Sequence, residues 1–300
     1  MSFKEGTLWR SVLDASESAI RSGALLPIET EHEFTEGSGI RFYIRVIRSL
    51  SRKDRETGIE NGRADGKTVS DPFLPYEEDL FVARVSADHI ALLNKYNVVD
   101  NHLLIVTEDF EDQDELLTVK DFGALLKCMA EYDSLGFYNG GTEAGASQRH
   151  KHLQLVPLPL AHEGPSVPIE PLLDAVDSRE GICSVEGLPF RNVFVRLDTK
   201  GDDPLGSLSE ELHGLYMDMM NASGLEPVER DGRKWQPGPY CLLITREWML
   251  LVPRSREFWG PVSINSLGFA GAFLVRDRSQ LYLVKKEGPM QVLKHVAFPL

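Results

Sequence analysis

Three side chains, His150, His152 and Gln154, recur at every second position inside the stretch Asn139 to Pro157, NGGTEAGASQRHKHLQLVP. Successive side chains of a strand point to opposite faces, so on an extended backbone these three share one face. The residues ahead of them, Gly140, Gly141, Gly145, Ala146 and Ser147, are small and let a ligand approach the backbone closely. Three uses of such a face compete. Two histidines at i and i+2 can chelate zinc, but Gln154 is a poor zinc ligand and a third donor would have to come from elsewhere. A satisfied structural cluster is the second use, and it requires a partner for every buried polar atom. Attack on phosphorus is the third. A neutral imidazole, with an ordinary pKa of about 6.5, is a good nucleophile when an acceptor holds its far ring nitrogen. The non-bridging phosphate oxygens then need donors, and Gln154, Ser147, Gln148 and the amides around Gly145 can supply them. Ser147 and Gln148 equally suit simple turn capping.

Several elements must position this stretch. Leu8, Trp9, Val12, Leu13 and Ile20 lie at helical spacing over 7–21. Residues 40–46 alternate apolar side chains with Arg41, Tyr43 and Arg45, as in a half-buried strand. Residues 51–71 form a long polar loop with Gly58, Gly62 and Gly66, entered through Arg52 and Lys53. Strands are predicted at 79–85, 89–94 and 102–107, close enough in sequence for antiparallel pairing. Thr118 and Asp121 open a helix with a capping box, and Gly136 is expected to end it before a short strand at Phe137 and Tyr138. Five prolines between Pro157 and Pro171 mark a crossover. Beyond it the pattern predicts a strand at 192–197, a helix through Leu208 to Met220, a hairpin at 240–245 and 248–252, a last strand at 280–284 and a short helix at 289–297. HLLIVTEDFED and CLLITREWMLLVPRSRE echo each other weakly. The expectation is an α+β fold with an antiparallel sheet, flanking helices and two related halves, divided into domains at 1–165 and 166–300.

The chain carries 46 acidic against 32 basic residues, a net charge of −14. That balance disfavours nucleic acid or an anionic membrane as partner but leaves room for a small anionic substrate held by local cations. The first residues contain no apolar signal core, and no run approaches the length of a membrane span. Three scattered cysteines, Cys128, Cys183 and Cys241, fit reduced thiols, and no CxxC pair is present. A soluble cytoplasmic protein without a dedicated metal cage is expected, as a monomer.

The central stretch resembles the active-site segment of the histidine-triad superfamily, in the transferase branch that carries Gln at the last triad position. Within it the chain is similar to the ATP adenylyltransferase (diadenosine tetraphosphate phosphorylase) family, through PFLPY at 72–76, LLNKYNVVDNHLLIVTEDFEDQ at 92–113, REWMLLVPRSRE at 246–257 and INSLGFAGAFLVR at 264–276. The likeness covers most of residues 40–300. It implies a histidine-triad-like sheet and a double displacement between diadenosine tetraphosphate, phosphate, ATP and ADP. His152 matches the nucleophile, His150 its positioner through ring or backbone carbonyl, and Gln154 a donor to phosphate that cannot shuttle a proton. Gly145, Ala146, Ser147 and Gln148 match a phosphate-contacting turn. Asn139 matches a residue beside the nucleotide, Asn94 and Lys95 positions near ribose and base, and Lys53 a lysine facing the polyphosphate. Asn265, Ser266 and Leu267 match substrate contacts, and Arg276 stands where relatives carry lysine. Mg²⁺ accompanying the polyphosphate fits such a substrate. Two alternatives are a hexose-1-phosphate nucleotidylyltransferase, whose proline between the histidines is here Lys151, and a nucleotide sensor without turnover.

Overall fold

A computed structural model of the chain describes residues 2–48, 71–177, 181–197 and 205–300. The expected first helix, α1 (Leu8–Ser22), buries Leu8, Val12, Ser16 and Ala19 and stops where Gly23 takes a left-handed φ of 79°. β1 (Thr30–Gly37) follows, unmarked in the sequence because TEHEFTEG is polar and only half buried. It pairs antiparallel with β2 (Ile40–Ile47), whose buried residues include the alternating apolar set. β3 (Phe81–Arg84), β4 (His89–Leu93) and β5 (Leu103–Thr107) form the meander.

α2 (Val119–Met129) opens with the reciprocal Thr118–Asp121 capping box, both halves of which form. It ends at Met129, not at Gly136. Gly136 sits inside β6 (Ser134–Gly140), where a Cβ would lie 2.9 Å from Ile244 and 3.0 Å from Leu125. A glycine that reads as a helix stop therefore serves close packing of strand on helix. β7 (His152–Pro157) carries His152 and Gln154, while His150 just ahead of it forms an isolated bridge with Asp112. Past the proline-rich crossover come β8 (Val193–Arg196), α3 (Leu205–Ala222), a small ribbon of β9 (Val228–Arg230) and β10 (Arg233–Trp235), and the expected hairpin β11 (Tyr240–Ile244) and β12 (Trp248–Pro253). A second ribbon joins β13 (Phe258–Trp259) to β14 (Val262–Ser263), and β15 (Ala272–Val275) returns parallel to β2. The expected last strand at 280–284 is instead part of α4 (Arg278–Glu287). Asp277 caps it by accepting from the Gln280 amide at 2.9 Å, and it buries Gln280, Leu281 and Val284 at helical spacing. α5 (Pro289–Val296) closes the chain.

The large sheet has the order β3-β4-β5-β7-β6-β11-β12-β8 and is antiparallel throughout. Strands from both sides of residue 165 share it, and its centre is the β7–β6 pair, flanked by the β4–β5 and β11–β12 hairpins. Side chains alternate between two cores. Tyr138, Leu155, Leu242 and Leu251 pack under α1, α2 and α3, while Phe137, Val156, Leu243 and Leu250 pack toward the β1-β2-β15 sheet and α5. Among the described residues no helix is long and apolar enough to cross a membrane.

Candidate active site

β7 alternates as its sequence predicts. Lys151 points to the rear, fully buried, with Nζ 2.6 Å from Glu111 Oε2, 3.3 Å from the Leu116 carbonyl and 3.8 Å from Asp121. Asp121 also accepts from His89 at 2.8 Å. Burial alone would raise the Asp121 carboxyl, but the hydrogen bond from His89 and the charge of Lys151 more than offset it and hold it low. This network fastens the back of β7 to the amino end of α2, so that the histidine face is held from behind.

On the front, His152 Nδ1 donates to the His150 carbonyl at 2.8 Å. Of the two possibilities for His150, ring or backbone, the backbone is the one that orients His152. The Nε2 of a neutral His152 then carries the lone pair. Burial pushes the His152 ring down to about 4, against a partial rise from the His150 carbonyl, so the ring is neutral near pH 7. The His150 ring has other work. Its Nε2 donates to the Thr107 carbonyl at 2.8 Å, and its Nδ1 lies 2.8 Å from Asp71 Oδ2. Phe73 covers both rings, 5.6 Å from His150 and 5.5 Å from His152 between centroids.

Gln113 explains why the site opens here. The β6–β7 ladder stops at Phe137 opposite Gln154. Two steps further in the same register Asn139 would face His152, and between them lies the Gln113 carboxamide. Its Oε1 accepts from the His152 amide at 2.9 Å, and its Nε2 donates to the Asn139 carbonyl at 3.0 Å and, more weakly, to the His152 carbonyl at 3.4 Å. A side-chain amide replaces the missing peptide partner and keeps the two strands splayed.

The glycine turn is a single 3-10 turn, Thr142–Ala144, ended by Gly145 at φ 96°. The Gly145 amide bonds Thr142 and the Ala146 amide bonds Gly141, whereas the Ser147 and Gln148 amides bond no backbone carbonyl among the described residues. The N–H groups of this turn left without a backbone acceptor among the described residues are therefore those of Ser147 and Gln148. Opposite stands the segment around Asn265. A Cβ on Gly145 would fall 2.8 Å from the Asn265 Cβ, so only glycine permits the contact. Asn265 caps a single helical turn by accepting from Leu267 at 3.1 Å, and Ser266 gives its amide and hydroxyl to Asn139 Oδ1 at 3.0 and 2.7 Å. Asn139 and Ser266 thus hold each other, leaving the Asn139 amide nitrogen for other partners.

Asn94 meets the site indirectly. Its Oδ1 accepts from the Tyr96 amide at 3.3 Å, so its Nδ2 donates to His102 Nδ1 at 3.1 Å. That fixes the proton of a neutral His102 on Nε2, a buried atom without a full hydrogen bond. The Gln154 carboxamide faces this ring, in a contact looser than a full bond; burial, against that contact, still pushes His102 down to about 4. Lys95 is turned away, its Nζ 2.5 Å from Glu77. Arg276 lines a cavity of about 140 Å³ with Ile47, Ile264, Asn265 and Gln280, smaller than a typical ligand pocket. Lys53 lies outside the described residues. An apolar shelf of Ile90, Leu92, Leu104 and Val106, with Tyr76 and Phe81 against it, adjoins His152. Leu104 and Val106 stand opposite Gln154 and His152 in the β5–β7 register and so share their face. Among the described residues no three metal-ligating side chains converge.

Sequence spacing could not disclose Asp71, Phe73, His102, Thr107 or Gln113, because each reaches the site from a different loop or strand. Only the apolar run after His102 hinted that it begins a buried strand.

A sheet that splays over a buried, tautomer-fixed histidine, with a glycine turn and a second-half segment closing the mouth, is the arrangement of a nucleotidyl-transfer site. The chain belongs to the Ap4A phosphorylase family: residues 1–175 match the Ap4A phosphorylase N-terminal domain and residues 186–299 the ATP adenylyltransferase C-terminal domain. It is 30% identical over 255 residues to the diadenosine tetraphosphate phosphorylase 2 of Saccharomyces cerevisiae, spanning 74% of this chain and 73% of that one. It is 28% identical over 295 residues to the yeast protein APA1, covering 89% and 86%. The crystal structure of yeast Ap4A phosphorylase Apa2 superposes over 100% of this chain and 99% of its own with a TM-score of 0.78 at 23% identity; the same scores hold for that enzyme in complex with Ap4A. These superpositions agree with the α+β fold.

Proposed function

We propose that the chain catalyses phosphorolysis of diadenosine tetraphosphate to ATP and ADP through an adenylyl-histidine on His152. The observation that carries this reading is the 2.8 Å bond from His152 Nδ1 to the His150 carbonyl, which leaves the lone pair on Nε2. Nε2 attacks the α-phosphorus, a P–N bond forms, and the bond to the bridging oxygen breaks with departure of ATP. An oxygen of inorganic phosphate then attacks the same phosphorus, the P–N bond breaks, and ADP leaves. The leaving group is an anhydride phosphate, so no strong general acid is required, and the intermediate divides one displacement into two. Both steps are reversible.

The Ser147 and Gln148 amides and the Gln154 carboxamide serve the equatorial phosphate oxygens, and the shelf of Ile90, Leu92 and Leu104 receives the base of the adenylyl half. Asn265, Leu267, Arg276 and Lys53 take the rest of the polyphosphate. Mg²⁺, where used, rides on the polyphosphate as part of the substrate. Gln154 favours an anionic acceptor over water, because an amide cannot remove a proton from water near neutral pH.

The test is mass spectrometry of the protein mixed with diadenosine tetraphosphate in the absence of phosphate. A gain of one AMP on His152, discharged as ADP when phosphate is added, is the expected result. Absence of both the adduct and phosphate-dependent ATP and ADP release refutes the reading, and labelling by UDP-glucose instead points to a hexose-1-phosphate transferase. His152→Ala is expected to keep the fold and lose turnover.

A further inference from the structure

Arg254 is fully buried, yet among the described residues no carboxylate lies within ion-pair distance of it. Each of its five N–H groups is spent on a neutral acceptor. Nε donates to the Val296 carbonyl at 3.1 Å. Nη1 donates to the Ala144 carbonyl at 3.2 Å and to Cys241 Sγ at 3.1 Å. Nη2 donates to the Arg256 carbonyl at 2.8 Å and the Ile264 carbonyl at 2.9 Å. Its guanidinium also stacks 5.0 Å from the Phe269 ring centre. Arginine does not deprotonate in proteins, so a full positive charge sits in the interior with hydrogen bonds but no counter-ion. Buried charges are ordinarily paired.

The acceptors indicate where the missing charge belongs. Ala144 immediately precedes Gly145 of the glycine turn, and Ile264 immediately precedes Asn265. These are the two segments that meet across the mouth of the site, one from each matched domain, and they touch at Gly145 and Asn265. One guanidinium thus holds both by the carbonyl next to each. Resting on the phosphorolysis reading above, we infer that Arg254 is a positioning residue that clamps the two polyphosphate-facing segments together, and that its counter-charge is the polyphosphate of the bound substrate. In a site shielded from water, a buried cation acts on an anion beyond direct contact more strongly than a surface lysine would. On a chain of net charge −14 that local field is what makes a highly anionic ligand welcome.

The test compares the full-length wild type with Arg254→Lys, Arg254→Gln and Arg254→Met by two readouts: the rise in Tm caused by inorganic tripolyphosphate, and steady-state kinetics with diadenosine tetraphosphate. All three variants lose hydrogen bonds, so a lower ligand-free Tm is expected in each and decides nothing. Charge separates them. Arg254→Gln and Arg254→Met are expected to lose the tripolyphosphate-induced rise and to raise KM about tenfold or more with a smaller change in kcat, as when ground-state and transition-state binding are lost together. Arg254→Lys is expected to keep the rise. A wild-type rise in either neutral variant, loss of the rise in Arg254→Lys, or a fall in kcat with unchanged KM in the neutral variants overturns the inference. If the neutral variants do not fold, Arg254→Lys decides by the same criterion. A wild type that forms the His152 adduct yet shows no tripolyphosphate rise also overturns it, whereas a wild type that shows neither fails the phosphorolysis reading.

Discussion

Two unrelated demands meet in the His152 ring. Burial strips it of its proton, and the carbonyl two residues back tells the remaining proton which nitrogen to occupy. The same burial leaves a signature in folding. His152 and His102 are both held near 4, below their unfolded value of about 6.5. Between those limits the unfolded chain binds protons that the folded chain refuses, so stability falls as pH falls from about 6.5 toward 4 and is unaffected above that window. Each ring is worth on the order of 3 kcal/mol across the full window. Urea unfolding at pH 7 and pH 5 should show the loss, and His102→Phe should make it smaller; equal stabilities at the two pH values would contradict the buried-neutral assignment. In the proposed reaction Gln154 sets the acceptor. Gln154→His should raise the AMP-to-ADP product ratio by admitting water, and an unchanged ratio would remove Gln154 from that role. The two histidines and the glutamine were legible in the sequence because a strand turns every second residue to one face. His102 and Asp71 were not, since nothing in a linear pattern announces a side chain that arrives from another strand or from the end of a loop.

At the scale of elements, the site is a fault in a ladder. β6 and β7 pair from Ser134–Pro157 to Phe137–Gln154 and then part around Gln113. Removing that amide leaves the His152 N–H and the Asn139 carbonyl buried without partners, or lets the strands zip and pull His152 inward. Gln113→Ala should therefore cost about 1–3 kcal/mol in chemical denaturation. It should also slow single-turnover adenylylation of His152 about tenfold or more, the scale of a misplaced nucleophile; an unaltered adenylylation rate would show that the splay does not depend on Gln113. Most elements were legible from their periods, including β2, α2 and the β11–β12 hairpin. The failures have separate physical causes. Gln280 to Val284 spans about one helical turn, and its unbroken apolar run from Leu281 to Val284 also suits a strand. Only the Asp277 cap and the burial of Leu281 and Val284 decide for helix. Gly136 reads as a stop but is set by the approach of Leu125 and Ile244. β1 is hidden because an edge strand with charged outward residues has no apolar alternation to show.

For the whole molecule, the decisive fact is that the large sheet ignores the boundary between the two matched domains. β6 from the first is paired with β11 from the second along five residues, Gly136–Ile244 to Gly140–Tyr240. Each of the two cores draws on both: Leu8, Phe122 and Leu155 share one with Leu242 and Met249, and Phe42 and Phe137 share the other with Leu250 and Val292. Arg254 and the Asn139–Ser266 bonds add polar ties across the same seam. A chain divided by sequence similarity at about residue 180 is thus not divided in its packing, and neither half can bury its own sheet. Calorimetry should show one transition whose calorimetric and van't Hoff enthalpies agree, the mark of a single cooperative unit. Residues 1–175 expressed alone would expose the whole edge of β6 with its backbone donors and acceptors unpaired, an invitation to aggregate, and should not give a soluble, dispersed spectrum. Two resolved transitions, or a folded 1–175 fragment able to take up AMP on His152, would show that the first half is self-sufficient and that the second only covers it.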